Sequence, residues 1–511
     1  METSYNAATE MVDRHVKEGR AEKAAFIDAN GTLTFGELAA DCNRMANLLV
    51  KSGLPREARI ALLLSDTRDF PIAFWGAIKA GIVPVALNTL LTSEQYAYIL
   101  ADSRAKALVV SASILPVVEP ILGRLPFLEH IFVSGGAAPA GTLDLSAGMA
   151  SHAPAFTAAD TSPDETAFWL YSSGSTGMPK GVRHVHTSLM ATARLYGQAV
   201  LGIREDDVCF SAAKLFFAYG LGNGMSFPLS VGATTVLLAD RPTPDSVFRT
   251  LKQHQPTLFF GVPTLYAAML AHPGSGPELS SARLRACVSA GEALPAEVGE
   301  TWKRRFAVDI LDGVGSTEML HIYVSNRPGD VRYGTSGKPV GGYRVRLVDD
   351  EGRAVPSGEV GEMIVWGPSA AEGYWNQREK SRRTFEGEWM RTGDKYVCDA
   401  NGYYTYQGRT DDMFKVSGIW VSPFEVESAL VSHPAVLEAA VVPREDADGL
   451  LKPRAVVVLK SGTASEGLVP ALQEHVKVKA GPWKYPRWVE FAESLPKTAT
   501  GKIQRFKLRE S

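Results

Sequence analysis

The residues with the most distinctive chemistry lie in one run, residues 171–181, which reads YSSGSTGMPKG. Its glycines let backbone N–H groups approach an anion, its hydroxyls add hydrogen-bond donors, and its lysine adds positive charge. This composition predicts a loop that binds the phosphates of a nucleotide such as ATP. The candidate contacts are Ser172, Ser173, Gly174, Ser175, Thr176, Gly177 and Lys180.

The same run differs from the phosphate loop of kinases and GTPases, which reads G-x-x-x-x-G-K-[ST]. Here Pro179 precedes the lysine and Gly181 follows it. A kinase or a GTPase is therefore disfavoured. The alternative interpretation is a surface turn that is merely rich in serine and glycine.

The segments on either side of this run predict how it is positioned. Residues 167–171 are apolar and predict a buried strand, whereas residues 186–198 are amphipathic and predict a helix. The run is thus expected between a strand and a helix, where phosphate sites commonly occur. His184 and His186 follow the run, and we expect structural rather than catalytic roles for both.

A second run, residues 312–318, reads DGVGSTE and ends with a hydroxyl beside a carboxylate. Thr317 and Glu318 are therefore candidates to face phosphate and its Mg²⁺, because Mg²⁺ prefers hard oxygen ligands and keeps several waters. Thr176 in the first run is the other candidate metal ligand.

Two further segments supply polar groups far along the chain. Asp394 offers an acceptor-only carboxylate at a predicted turn, which suits the two hydroxyls of a ribose, and Arg409 adds a donor. Lys502 lies beside Gly501, where a mobile positive charge can enter a distant site. Each feature alone is more typical of a solvated surface, so the interpretation depends on their joint occurrence.

Length and composition indicate a large globular protein. The chain has 511 residues, of which 45% are hydrophobic, and this length suggests two to four structural units. The net charge of -3 gives no overall field that favours nucleic acid. Residues 475–511 are locally basic, with nine Lys or Arg against three Glu. They form either a solvated face or a site for a polyanionic substrate.

Cysteine usage and apolar segments bear on the compartment. The four cysteines lie far apart, so neither a disulfide framework nor a zinc site is indicated, and a reducing cytoplasm is expected. The N-terminus lacks the features of a signal peptide. Residues 71–87, the longest apolar stretch, are interrupted by Lys79, Gly81 and Pro84, which predicts a helix leading into a strand rather than a membrane span.

Three patterns follow one another along the chain. From about residue 59 to 315, short apolar runs alternate with helical patterns, which is typical of parallel sheets with crossover helices. Between about 330 and 410 the hydrophobic period becomes two, which indicates a small antiparallel β unit. The remainder predicts a small α+β domain. We therefore predict an α/β protein with an N-terminal domain at 1–410 and a C-terminal domain at 411–511.

These motifs, in this order, resemble the acyl-adenylate-forming (AMP-binding) superfamily, which includes acyl-CoA synthetases, nonribosomal adenylation domains and firefly luciferase. The resemblance covers essentially the whole chain, and no core motif departs from the pattern. It implies a large N-terminal body of parallel-rich sheets flanked by helices, a small antiparallel β unit and a small mobile α+β C-terminal domain.

The resemblance also implies roles for individual residues. The run at 172–181 binds the phosphates of ATP, Glu318 serves Mg²⁺, and Asp394 with Arg409 holds the ribose. The adenine is framed by Gly291, Glu292, Ala293, Asp312 and Gly313.

The implied reaction has two steps. A carboxylate first attacks the α-phosphate of ATP, giving acyl-AMP and pyrophosphate, with Lys502, Thr317 and Glu318 as the expected catalytic residues. The C-terminal domain then rotates about a hinge at Asp411, which removes Lys502 and opens a tunnel for the thiol of CoA, lined near Gly418.

Within the family, residues 214–223, 289–292 and 318–322 look most like the benzoate-CoA ligase branch. Flat walls of glycine and alanine with one aromatic suit a planar ring and discriminate poorly between small ring substituents. Benzoate is therefore the expected acid, with hydroxy-, amino- or fluorobenzoate or another small acid as alternatives. His321 is expected to pack in the wall rather than bind a polar group. The implied pocket residues are Ala218, Tyr219, Gly220, Ala290, Gly315, His321 and Ile322.

The expected partners are a small aromatic acid, ATP and CoA, with Mg²⁺ as cofactor and with neither nucleic acid nor a membrane. We expect a cytoplasmic monomer or homodimer that serves aromatic acid degradation. Three rivals stay open. They are an enzyme that loads a carrier protein, a luciferase-like oxidation, and a non-catalytic nucleotide sensor, which has no need of Lys502 or a hinge.

Overall fold

Two large mixed sheets, one antiparallel sheet and two small C-terminal sheets make up the fold. The predicted α/β architecture is confirmed. The computed structural model describes residues 4–174, 177–410, 412–416, 419–447, 450–460, 467–482, 484–497 and 503–509.

The nine-stranded sheet is parallel at its centre and antiparallel at both edges. Its central strands are short apolar runs buried on both faces, as a parallel sheet covered by helices requires. In spatial order its strands are Lys338–Pro339, Ile322–Ser325, Ile310–Gly315, Ala286–Ser289, Leu258–Gly261, Val208–Ser211, Thr234–Val236, Ala24–Asp28 and Gly31–Thr34.

The eight-stranded sheet is parallel except at the strand Gly177–Val185, which pairs antiparallel with both of its neighbours. The stretch at 71–87 forms the helix Asp69–Lys79 and the strand Val83–Ala86, as predicted. In spatial order the strands are Gly373–Tyr374, Gly177–Val185, Thr166–Gly174, Val83–Ala86, Arg59–Leu63, Ala107–Ser111, His130–Ser134 and Leu143–Asp144.

The segment with a hydrophobic period of two forms an antiparallel sheet, which confirms that prediction. Its alternating pattern places one face on the core and the other toward solvent. The strands are Arg344–Val348, Val360–Trp366, Trp389–Cys398, Phe385–Glu386 and Tyr404–Arg409.

The C-terminal residues form two small sheets with their own apolar core. Val436–Glu445 pairs antiparallel with Leu451–Leu459, which in turn pairs parallel with Trp488–Phe491. Phe414–Val416 and Ile419–Val421 form a separate antiparallel pair. This agrees with the predicted α+β character of the segment.

Helices cover the faces of the sheets, and none among the described residues is long and apolar enough to span a membrane. The α-helices are Arg14–Lys17, Phe35–Lys51, Asp69–Lys79, Ser93–Ser103, Leu115–Val118, Leu145–Ala150, His186–Thr192, Ala218–Leu221, Phe227–Val231, Pro244–His254, Pro263–Ala271, Ala296–Phe306, Arg378–Thr384, Pro423–Val431, Leu468–Ala480 and Arg505–Arg509. Shorter 3₁₀ and π turns are Thr9–Asp13, Glu119–Arg124, Ala193–Gln198, Gly222–Ser226 and Pro277–Leu279.

Four histidines among the described residues are buried, and three of them, His15, His184 and His186, make structural contacts. His184 Nε2 lies 2.8 Å from the carbonyl oxygen of Thr317, and His186 Nδ1 accepts a hydrogen bond from the N–H of Ala7 at 3.2 Å. Burial lowers the pKa of His15, His184 and His186 to about 4. All three are therefore neutral in the folded protein at pH 7.

We expect the substitution His186→Asn to reduce the loss of stability on acidification. The unfolded histidine takes up a proton below its ordinary pKa of about 6.5, whereas the folded one resists protonation down to about pH 4. Folding stability is thus lost as the pH falls through this window, by about 1 kcal/mol for one histidine between pH 7 and 5.5. Asparagine keeps an acceptor for Ala7 and does not titrate. Urea unfolding at both pH values tests this, and equal losses in variant and wild type contradict it.

Candidate active site

The phosphate-binding run lies at the end of a β-hairpin. Strands Thr166–Gly174 and Gly177–Val185 pair antiparallel, with Ser172 opposite Lys180. The predicted strand before the run and the predicted helix from His186 are both confirmed, but a second strand, Gly177–Val185, lies between them where a loop was expected. The expected order of strand, loop and helix is therefore wrong, because the second strand satisfies its backbone groups by pairing with the first.

Lys180, in the second strand of this hairpin, forms an ion pair with Glu318. Lys180 Nζ lies 2.9 Å from Glu318 Oε1, and both side chains are largely buried. Burial alone raises the pKa of the Glu318 carboxyl, but the charge and the hydrogen bond of Lys180 outweigh that effect and leave the pKa below its usual value. The carboxylate is therefore ionised at neutral pH, as the predicted role near phosphate and metal requires.

Sequence reasoning missed Tyr374, which completes this group. Its hydroxyl accepts a hydrogen bond from Lys180 Nζ at 2.7 Å and donates one to Glu318 Oε1 at 2.8 Å. In the sequence, Tyr374 is simply the tyrosine of a Gly-Tyr-Trp run, and this pattern does not indicate a contact with Lys180 or Glu318. Only the pairing of Gly373–Tyr374 with the hairpin brings it to the site.

The oxygen ligands that the protein supplies at this site are too few to enclose Mg²⁺. They fit a Mg²⁺ ion whose other ligands are phosphate oxygens or water. Glu318 offers one ionised carboxylate, and Thr317 follows the strand Ile310–Gly315 that leads to it. Among the described residues, no group of three or more histidine, cysteine, aspartate or glutamate side chains could hold a metal. One carboxylate is nevertheless enough where a nucleotide supplies other oxygen ligands.

The predicted ribose pair is formed across two adjacent strands. Asp394 in Trp389–Cys398 lies opposite Arg409 in Tyr404–Arg409. Arg409 Nη1 donates to Asp394 Oδ1 at 3.0 Å and to the carbonyl oxygen of Thr392 at 3.1 Å. The carboxylate lies within a strand rather than at the expected turn. This pairing brings the two predicted residues together.

The predicted adenine residues lie on one of two neighbouring parallel strands or shortly after the other. Asp312 lies opposite Ser289 in the register of strands Ile310–Gly315 and Ala286–Ser289. Burial raises the pKa of Asp312. Gly291, two residues after the end of the strand Ala286–Ser289, has a positive φ of 97°, which favours glycine, and Glu292 and Ala293 follow it.

The predicted acyl pocket gathers side chains from several elements. Tyr219 donates from its hydroxyl to the carbonyl oxygens of Gly261 at 3.2 Å and Val288 at 3.0 Å, which fixes its ring. His321 Nε2 lies 3.1 Å from Asn223 Oδ1. Burial lowers the pKa of His321 to about 3, so the wall carries no charge there.

Close packing explains the small residues in this wall. A Cβ atom on Gly220 would lie 2.0 Å from the carbonyl oxygen of Lys214, and one on Gly315 would lie 2.5 Å from that of His321. One on Gly313 would lie 2.9 Å from Ile322 Cγ2. The His321 ring also contacts aromatic side chains that sequence reasoning missed. They are Tyr196 and Phe227, at centroid distances of 5.3 and 4.4 Å.

Five predicted site residues lie outside the described residues: Ser175, Thr176, Asp411, Gly418 and Lys502. Their roles stay predictions. Close to Lys502, the described residues Lys497 and Ile503 form an antiparallel bridge, and Gln504 donates its N–H to the carbonyl oxygen of Pro496 at 2.8 Å.

Known proteins resemble the chain over its full length. It is 58% identical to the benzoate–CoA ligase of Thauera aromatica over 99% of this chain and 96% of that protein. It is also 58% identical to the 4-hydroxybenzoate–CoA/benzoate–CoA ligase of Rhodopseudomonas palustris, over 99% and 94%. The structure of a benzoate CoA ligase from Burkholderia xenovorans superposes with a TM-score of 0.92 at 51% identity, covering 99% of this chain and 100% of that one.

The family comparison matches two regions of the sequence. The AMP-binding enzyme family matches residues 12–375, and the AMP-binding enzyme C-terminal domain matches residues 425–502. The first match contains the hairpin, Lys180, Glu318 and Tyr374. The chain therefore belongs to the family of AMP-binding enzymes.

Proposed function

We propose that the protein is an AMP-forming acid–thiol ligase that converts benzoate or a close analogue, ATP and CoA into aryl-CoA. The full-length similarity to the two benzoate–CoA ligases carries this proposal. The site geometry supports it, because the charged Lys180–Glu318 group and the uncharged wall around His321 provide separate environments for phosphate and ring.

The first step activates the acid. A carboxylate is a poor acyl donor, so its oxygen attacks the α-phosphate of ATP to give acyl-AMP, and pyrophosphate leaves. This step brings two anions together, and Lys180 and Lys502 offset their repulsion. Mg²⁺ held by Glu318, with Thr176 as a second ligand, supplies further positive charge to the phosphates.

The acyl pocket accounts for the choice of acid. Tyr219 is held by its hydroxyl, so its ring forms a fixed wall, and the glycines at 220 and 315 leave no side chain between wall and substrate. A neutral His321 packed among aromatic rings favours an apolar aryl group over a charged one. The wall separates benzoate poorly from its small substituted analogues.

The second step transfers the acyl group to CoA. We place the domain boundary at 410/411 and the β-rich part of the first domain at 330–410. In this proposal the C-terminal domain rotates about Asp411 between the half-reactions, Gly418 lines the path of the thiol, and the basic C-terminal segment meets the phosphates of CoA.

The proposal also covers the cellular compartment, the oligomeric state and the metabolic role of the enzyme. Cys42, Cys209, Cys287 and Cys398 are all unpaired, which supports a reducing compartment such as the cytoplasm. We propose a monomer or homodimer that serves aromatic acid degradation.

We expect the protein to form benzoyl-CoA, AMP and pyrophosphate from benzoate, ATP and CoA in the presence of Mg²⁺. A flexible six-carbon acid fills a flat pocket poorly, so kcat/KM for hexanoate should be about a hundredfold lower. A panel of aryl and short-chain acids measures this. A hundredfold preference for hexanoate contradicts the aryl assignment. Pyrophosphate release without thioester favours a carrier protein as acceptor.

We expect Lys502→Ala to slow adenylation by about 10²–10³-fold, because a positive charge on the transition state is lost. Thioester formation from supplied benzoyl-AMP should change little, since that step releases no pyrophosphate. Stopped assays of each half-reaction measure both rates. The matched control is Lys252→Ala, which removes an exposed lysine from the helix Pro244–His254, outside the basic C-terminal segment. Equal loss in both half-reactions contradicts the role of Lys502.

A further inference from the structure

Tyr374 contacts both charged residues of the phosphate site with one hydroxyl group. The hydroxyl lies 2.7 Å from Lys180 Nζ and 2.8 Å from Glu318 Oε1. A tyrosine hydroxyl has one proton to donate and lone pairs to receive another, so it serves the cation and the carboxylate together. The Lys180 ammonium also lies 4.0 Å from the centroid of the tyrosine ring, within cation–π range.

The backbone fixes this tyrosine relative to both partners. Strand Gly373–Tyr374 pairs with the hairpin strand that carries Lys180. Just beyond it, the backbone N–H of Trp375 donates to the carbonyl oxygen of Gly181 at 2.8 Å. Just before it, Ala371 donates its N–H to the main-chain oxygen of Glu318 at 2.8 Å. The segment is thus hydrogen-bonded to the hairpin and to the main chain at Glu318.

The three N–H donors of the Lys180 ammonium show what this arrangement does. A lysine ammonium has three N–H donors on a flexible stem. One donor meets Glu318 Oε1 and a second meets the Tyr374 hydroxyl. With two donors held and the ring against the ammonium, the direction of the third donor is fixed.

We infer that Tyr374 is a positioning residue of the phosphate site, which orients the Lys180 ammonium so that its third N–H is presented to a phosphate oxygen of the nucleotide. This inference rests on the proposed function, because that function requires nucleotide binding at the hairpin. Tyr374 acts through Lys180 and does not itself touch the reacting atoms.

The substitution Tyr374→Phe tests this role, because it removes the hydroxyl and keeps the ring that packs on Val182 and Ala371. We expect the Kd for ATP, measured by calorimetry without an acid substrate, to rise about tenfold, as loss of a hydrogen bond to a charged group implies. Adenylation should slow by a similar factor, whereas thioester formation from supplied benzoyl-AMP should stay unchanged.

Tyr343→Phe is the matched control. Its buried hydroxyl lies 2.7 Å from Ser369 Oγ, and Ser369 donates to the carbonyl oxygen of Met319, next to Glu318. This variant also loses a buried tyrosine hydroxyl near the site but no contact with Lys180. Its Kd for ATP should equal that of the wild type. An equal rise in both variants overturns the inference.

A double-mutant cycle with Lys180→Met distinguishes positioning from general packing. If Tyr374 acts through Lys180, Tyr374→Phe should change the ATP Kd little in the Lys180→Met background, and a full tenfold effect there overturns the inference. A variant that merely folds less well loses the same fraction of its rate in both half-reactions. Equal losses of the adenylation and thioester rates in Tyr374→Phe therefore also overturn the inference. If the wild type binds ATP but makes no benzoyl-CoA, the proposed function fails while the ATP affinities still decide the role of Tyr374.

Discussion

The buried ion pair between Lys180 and Glu318 is the contact on which the site depends, because it joins two separate sheets. Lys180 lies on the hairpin at the edge of the eight-stranded sheet, whereas Glu318 follows the strand Ile310–Gly315 of the nine-stranded sheet. A charge buried without its partner is strongly destabilising. The pair therefore requires the two sheets to meet at one place, and Tyr374 adds a third hydrogen-bonded member from the edge strand Gly373–Tyr374.

The acyl wall obeys a different constraint, which is steric. At Gly220, Gly313 and Gly315 a Cβ atom would overlap neighbouring atoms, so the wall is flat because its backbone is packed closely. His321 lies in this wall with its ring against aromatic side chains and its pKa lowered by burial. Charge is thus concentrated on the phosphate side of the site and removed from the acyl side. Such a division suits a reaction that joins a polar carboxylate to a nucleotide while an apolar ring stays bound.

The predicted ribose pair, Asp394 and Arg409, lies where the antiparallel sheet passes into the C-terminal part of the chain. Arg409 ends the strand Tyr404–Arg409, and its carbonyl oxygen accepts the N–H groups of Asp412 and Met413. Asp412 in turn pairs with Arg509 of the last helix. Contacts thus lead from the predicted ribose pair to the C-terminal helix.

The sequence by itself determined the fold class, because local hydrophobic periods specify strands, and it predicted a phosphate site, because glycine, hydroxyl and lysine residues in one run are typical of phosphate chemistry. It did not predict the second strand of the hairpin, Gly177–Val185, because whether the residues before His186 form a loop or a strand depends on which strand lies alongside. It also gave no signal for Tyr374, Tyr196 or Phe227. Their contacts are made between residues far apart in the chain, and only the packing of the sheets and helices decides which side chains meet.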